Sequence, residues 1–115
     1  MRSLDVAWER AKILRNWKEW LIRIKDAVND VLSSNLVDVY VFGSAVVGDL
    51  VASSDIDLLV VAKNLPKSII DRSEIKEKII DKAVLPQNNP FEIHLVDEEE
   101  ASIYFKHIKE NFIKL

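Results

Sequence analysis

At 100° per residue, Val6, Ile13, Leu14, Trp17, Trp20, Leu21, Ile24, Val28, Val31 and Leu32 share one arc of roughly 120°. The opposite arc gathers Glu9, Lys12, Arg15, Asn16, Lys18, Glu19, Arg23, Asp26, Asn29 and Asp30. The pattern predicts an amphipathic helix over residues 5–32, broken near Arg15-Asn16, whose stripe must find an apolar surface made by the rest of the chain. Leu4, Trp8 and Ile22 lie off the stripe, and Ser33-Ser34-Asn35 ends it with residues that favour turns.

The surface that receives the helix is written in a different period. Leu36–Phe42 is rich in β-branched and aromatic residues and reads as a strand, stopped by Gly43-Ser44. A second strand over 55–61 follows a connection that holds both glycines, Gly43 and Gly48. Pro66 suits the first turn of a helix over about 67–82, with Ile69, Ile70, Ile75, Ile79, Ile80 and Ala83 as its apolar positions. A third strand, Phe91–Val96, precedes a last helix capped by Asp97, opened by Glu98, Glu99 and Glu100, and carrying its lysines later, as the helix dipole favours. Ala101, Phe105, Ile108, Phe112 and Leu115 give that helix a core stripe through to residue 115. The fold expected is α/β (α+β): a small mixed sheet of three core strands packed against helices, in the order α-β-β-α-β-α. At 115 residues the chain can build one core, so a single domain is expected. It divides into a helical segment over 1–34, a core over 36–96 and a C-terminal helix over 97–115.

Composition removes several classes of function. The longest uncharged stretch, Val39–Gly48, is half of the roughly twenty residues that a spanning helix needs, so no membrane role is expected. Arg2, Asp5, Glu9, Arg10 and Lys12 stand where the apolar part of a secretory signal would lie, and there is no cysteine for a disulfide framework. Both point to the cytoplasm. A net charge of −3 argues against direct nucleic-acid binding by the isolated chain, since that affinity rests on clustered Lys and Arg.

The chemistry concentrates in Gly43-Ser44, ten intervening residues, then Asp55-Ile56-Asp57. Side chains two apart on a strand point the same way, which puts the two carboxylates about 6 to 7 Å apart on one face. Beside the apolar run Leu58–Val61, two like charges are costly unless cations neutralise them, and such oxygen ligands suit Mg²⁺. Gly43 allows close backbone approach, and exposed amides with the Ser44 hydroxyl can hold phosphate oxygens. Glu92 completes a carboxylate triad if its strand lies beside the aspartate strand, with His94 on the same face as an auxiliary group.

These residues resemble the minimal nucleotidyltransferases of the DNA polymerase beta superfamily, whose signature is Gly-Ser, ten residues, Asp-x-Asp and a later third acid. The likeness covers roughly residues 36–96, which it marks as the catalytic core. It implies that Asp55, Asp57 and Glu92 are catalytic and hold two Mg²⁺ ions, and that Gly43 and Ser44 bind the nucleotide. The implied reaction is nucleotidyl transfer, with ATP as donor of AMP. Small stand-alone members resemble antitoxins that modify a helical partner of the HEPN class, and Trp8 and Ile22 offer a docking surface for such a protein. Because the 45–54 connection has no Lys or Arg, an antitoxin that neutralises its partner by binding alone stays open. Transfer to RNA within a complex and self-association also stay open.

Overall fold

A computed structural model describes the backbone of residues 3–115 and the side chains from Val6 onward, so the off-stripe position of Leu4 lies outside the described residues. The expected break in the first helix falls at Asn16, between α1 (Ser3–Arg15) and α2 (Trp17–Leu32). A 3₁₀ turn over Ser33–Asn35 leads into β1 (Leu36–Phe42), followed by a four-residue helix α3 (Ser44–Val47) and β2 (Ile56–Ala62). Then come α4 (Ile69–Lys82), β3 (Phe91–Val96), α5 (Glu98–Ile108) and β4 (Phe112–Lys114).

The strands form one mixed sheet in the order β3-β2-β1-β4. β1 runs antiparallel to both β2 and β4, and β2 runs parallel to β3. Strand alternation then sorts the side chains into two layers. One face presents Val39, Val41, Ile56, Leu58, Val60, Ile93 and Leu95 to Leu21, Ile24, Val28 and Leu32 of α2 and to Ile79 of α4, in the main core. The other face packs Leu59, Val61 and Val96 under Ala101 of α5, with Tyr40, Phe42, Tyr104 and Phe105 around them. A register shift between Leu36 and Asp38 turns Val37 toward this second layer.

The α/β class holds, and three expectations about its elements are corrected. The helix expected over 97–115 ends at Ile108, and Lys109 takes a positive φ of 58°. Asn111 N–H then bonds Ile108 O, and residues 112–114 pair with β1 as a fourth strand. Phe112 meets Tyr40 and Phe105 edge to face, and Leu115 N–H donates to Val39 O. Burial of these two residues is therefore real, but a strand beside the open edge of β1 provides it. The helix expected from 67 starts at Ile69, because Ser68 caps it by accepting from Asp71 N–H and the carbonyl of Pro66 is taken by Arg72 Nε at 2.7 Å. That start leaves Ile69 and Ile70 at 82% and 73% exposure instead of in the core. The strand expected from residue 55 begins at Ile56, so Asp55 stands just ahead of it. Among the described residues no helix is long and apolar enough to cross a membrane.

Candidate active site

Register brings the acids of separate segments together. Asp57 pairs with Phe42 at the end of β1 and with Glu92 at the start of β3, while His94 pairs with Leu59 one step along. Asp57, Glu92 and His94 alternate onto the α5 face of the sheet. Each of the three offers a ligand atom within 4.8 Å of the other two. His94 Nε2 lies 3.3 Å from Asp57 Oδ1 and 3.9 Å from Glu92 Oε1. Asp57 and His94 are half-buried, and Glu92 stands at the exposed rim.

Gly43 forms the wall behind Asp57. Its φ of 80° and ψ of −148° lie where only glycine is at ease, and a Cβ there would come within 2.7 Å of Asp57 Oδ2. Ser44, the next residue, opens α3, whose turn is tied by Val46 and Val47 N–H to Gly43 O and by Gly48 and Asp49 N–H to Ser44 O. Gly48 closes the turn in the left-handed region at φ 82°.

Asp55 is placed differently from the other acids. Arg10 Nη2 donates to its Oδ1 at 2.9 Å and to Ser54 O at 2.7 Å, while Nη1 donates to Ala52 O at 2.8 Å. The guanidinium thus clamps the end of the connection to α1, and Asp55 lies outside the group formed by Asp57, Glu92 and His94. Beside the clamp, Trp8, Arg15 and Trp17 face Leu50, Val51 and Ala52 across a cleft of about 480 Å³.

Two participants escape a reading of local pattern. Arg10 precedes Asp55 by 45 residues and is not among the charges of the polar arc; at 100° per residue it falls inside the apolar stripe, level with Val28, and that misplaced charge is the signal that could have found it. Tyr104 places its hydroxyl 3.1 Å from His94 Nδ1, and its ring lies edge-on to those of Phe42 and His94. Burial raises the Tyr104 pKa above 10.0, with the Glu100, Glu92 and Asp57 carboxylates adding to the shift. Its place seven residues beyond the Asp97 cap carries no signal until α5 is laid over the sheet.

The donor chemistry fits a divalent cation: two carboxylates and an imidazole converge, and no cation from a Lys or Arg of the described residues is paired with Asp57 or Glu92. Asp57, Glu92 and His94 would hold such an ion, with the Gly43-Ser44 turn adjoining it. This arrangement suits chemistry on a phosphate ester or anhydride.

Residues 24–113 match the family described as "Polymerase beta, Nucleotidyltransferase". Over 70 residues the chain is 41% identical to a protein of Methanocaldococcus jannaschii (strain ATCC 43067 / DSM 2661 / JAL-1 / JCM 10045 / NBRC 100440) named "putative protein adenylyltransferase MJ1305", a match that covers 60% of this chain and 45% of the relative. The chain thus spans less than half the length of that relative. Among solved structures, one described as a "putative nucleotidyltransferase" superposes with a TM-score of 0.63 at 25% identity, covering 83% of this chain and 96% of the other. A toxin-antitoxin structure with AMP-PNP shares the fold at a TM-score of 0.55 and 24% identity, over 80% of this chain and 68% of that one.

Proposed function

We propose, because this chain belongs to the polymerase beta nucleotidyltransferase family, that it transfers AMP from ATP to a partner protein in a Mg²⁺-dependent reaction. The observation that carries the reading is the pairing of Asp57 with Glu92 across parallel strands, with the Asp57 carboxylate set directly against the glycine turn at Gly43. Asp57 and Glu92 would hold Mg²⁺, and Asp55 joins them if its bond to Arg10 is exchanged for the ion. Bound there, the ions would screen phosphate charge and ease ionisation of the acceptor hydroxyl. Ser44 would contact the phosphates through its hydroxyl. Gly43, lacking a side chain, lets the nucleotide come close to Asp57. In the transfer itself the acceptor oxygen bonds the α-phosphorus as the α–β anhydride breaks, and pyrophosphate carries away the electron pair.

A protein acceptor and an adenylyl group are supported by the name of the 41% identical relative. A helical toxin of the HEPN class is the partner we propose, following the resemblance, which would make this chain its antitoxin in the cytoplasm. Trp8 on α1 and Ile22 on α2, 62% and 68% exposed, offer apolar contact area for it. One observation favours a second reading, in which the chain neutralises its partner by covering it: Arg10 already occupies Asp55, and the 45–54 connection supplies no cation of its own.

The test uses the protein purified with its partner, Mg²⁺ and α-labelled ATP, beside Asp57→Asn. Transfer predicts label on the partner, its loss by at least 100-fold in the variant, and loss of neutralisation from a complex that stays intact. No label with any NTP, together with full neutralisation by Asp57→Asn, would establish covering instead.

A further inference from the structure

The imidazole in the acid cluster is not part of the family's three-acid pattern, and its surroundings are built with care. His94 presents Nε2 to Asp57 Oδ1 at 3.3 Å and to Glu92 Oε1 at 3.9 Å, while Nδ1 meets the Tyr104 hydroxyl at 3.1 Å. The ring is also wedged between Phe42 and Tyr104, with centroids 5.3 and 5.5 Å away, so it cannot rotate freely. In the tautomer that carries its proton on Nδ1, that N–H donates to the Tyr104 oxygen and the Nε2 lone pair faces the space shared with the two carboxylates. That is how metal-bound histidines are ordinarily oriented: one nitrogen on the ion, the other held by a neighbouring acceptor.

We infer that His94, positioned by Tyr104, is a direct ligand of the ion held by Asp57 and Glu92, and that this site therefore binds Mn²⁺ in preference to Mg²⁺. The inference rests on the metal-dependent reading above. Its physical basis is ligand type. Mg²⁺ is a hard ion that keeps to oxygen and retains several waters, whereas imidazole nitrogen is a good ligand for first-row transition ions. Two oxygens and a nitrogen within 4.8 Å of one another therefore favour Mn²⁺ more strongly than three carboxylates would. Asp55, the acid that the signature would add, is turned away onto Arg10, which leaves the nitrogen a larger share of the coordination.

The experiment titrates the full-length, metal-free protein with Mn²⁺, following free ion by electron paramagnetic resonance, and with Mg²⁺ in competition. Pulsed resonance on the bound Mn²⁺ reads out a coupled nitrogen. The wild-type protein should bind Mn²⁺ at least tenfold more tightly than Mg²⁺ and show histidine nitrogen coupling. His94→Gln should lose that coupling and about tenfold in Mn²⁺ affinity while leaving Mg²⁺ within about twofold, and Tyr104→Phe should weaken Mn²⁺ about tenfold, as loss of an orienting partner does. Absence of nitrogen coupling in the wild type overturns the inference whether or not the variants fold. So does an equal loss of both ions in His94→Gln, which would mark a structural role. If both ions bind equally and Asp57→Asn abolishes them, this inference falls and the metal-dependent reading stands. If neither ion binds, with or without ATP, both fall.

Discussion

Gly43 is held to glycine by two separate constraints, a backbone conformation closed to other residues and the carboxylate that stands where a Cβ would project. Relief of the 2.7 Å contact would require moving Asp57 itself, so Gly43→Ala should act on the site as well as on stability. We expect a loss of about 1 to 3 kcal/mol from the backbone strain, seen in denaturant unfolding, with divalent-ion affinity reduced in the same variant. The tyrosines allow a second prediction. Burial, then Asp38, raises Tyr40, and burial, then Glu100, raises Tyr104, so both of the chain's tyrosines ionise above 10.0. A tyrosine that is harder to ionise in the folded state supports folding fully below the unfolded value near 10. That support is lost as pH climbs through the higher folded value. Absorbance titration should therefore show phenolate midpoints above 10 in the folded protein that fall to about 10 on unfolding.

At the scale of elements, Arg10 ties α1 to the site. The stripe residues Ile13 and Leu14 are buried, and among the described residues the side-chain hydrogen bonds from α1 to the connection come from Arg10, through two carbonyls and the Asp55 carboxylate. The ion pair is partly exposed, so its contribution to global stability is small, at most about 1 kcal/mol. Arg10→Ala should nonetheless speed hydrogen exchange in α1 and in residues 50–54 severalfold while leaving α2 unchanged. Equal acceleration throughout would show that α1 and α2 open together. α5 is anchored more firmly: Asp97 and Glu100 form a reciprocal capping box, and Arg72 of α4 donates to both Glu100 oxygens at 2.8 and 3.0 Å. That anchoring is what keeps Tyr104 over His94.

Across the whole molecule, the short β4 closes the edge of β1 and completes the aromatic group on the α5 face. Phe112 contacts Tyr40 at 5.4 Å and Phe105 at 5.1 Å between ring centroids. Phe112→Ala should cost about 2 to 3 kcal/mol, below the range for a fully buried phenylalanine because the ring is only half-buried. It should also raise the tendency to associate through the uncovered β1 edge, measured by light scattering during thermal unfolding. Unchanged stability would mean that the strand contributes pairing alone.

Patterns confined to one segment were legible in the residues: the two-part amphipathic helix, β1 and β3 to the residue, and the Asp97 cap. They are set by periodicity and capping, which act over a few residues and need no knowledge of neighbours. The helix read through to 115 failed for the converse reason. Phe112 and Leu115 keep a helical spacing, but an open strand edge nearby offers hydrogen bonds that the last turns of an isolated helix would lack. The surroundings of the site belong to the same long-range class. The turn of Asp55 toward Arg10 and the seating of His94 beneath Tyr104 join segments 45 and 10 residues apart. Such contacts arise from packing α1 and α5 on the sheet: the place of Arg10 within the apolar stripe marks it as unusual, but local pattern does not say what it meets.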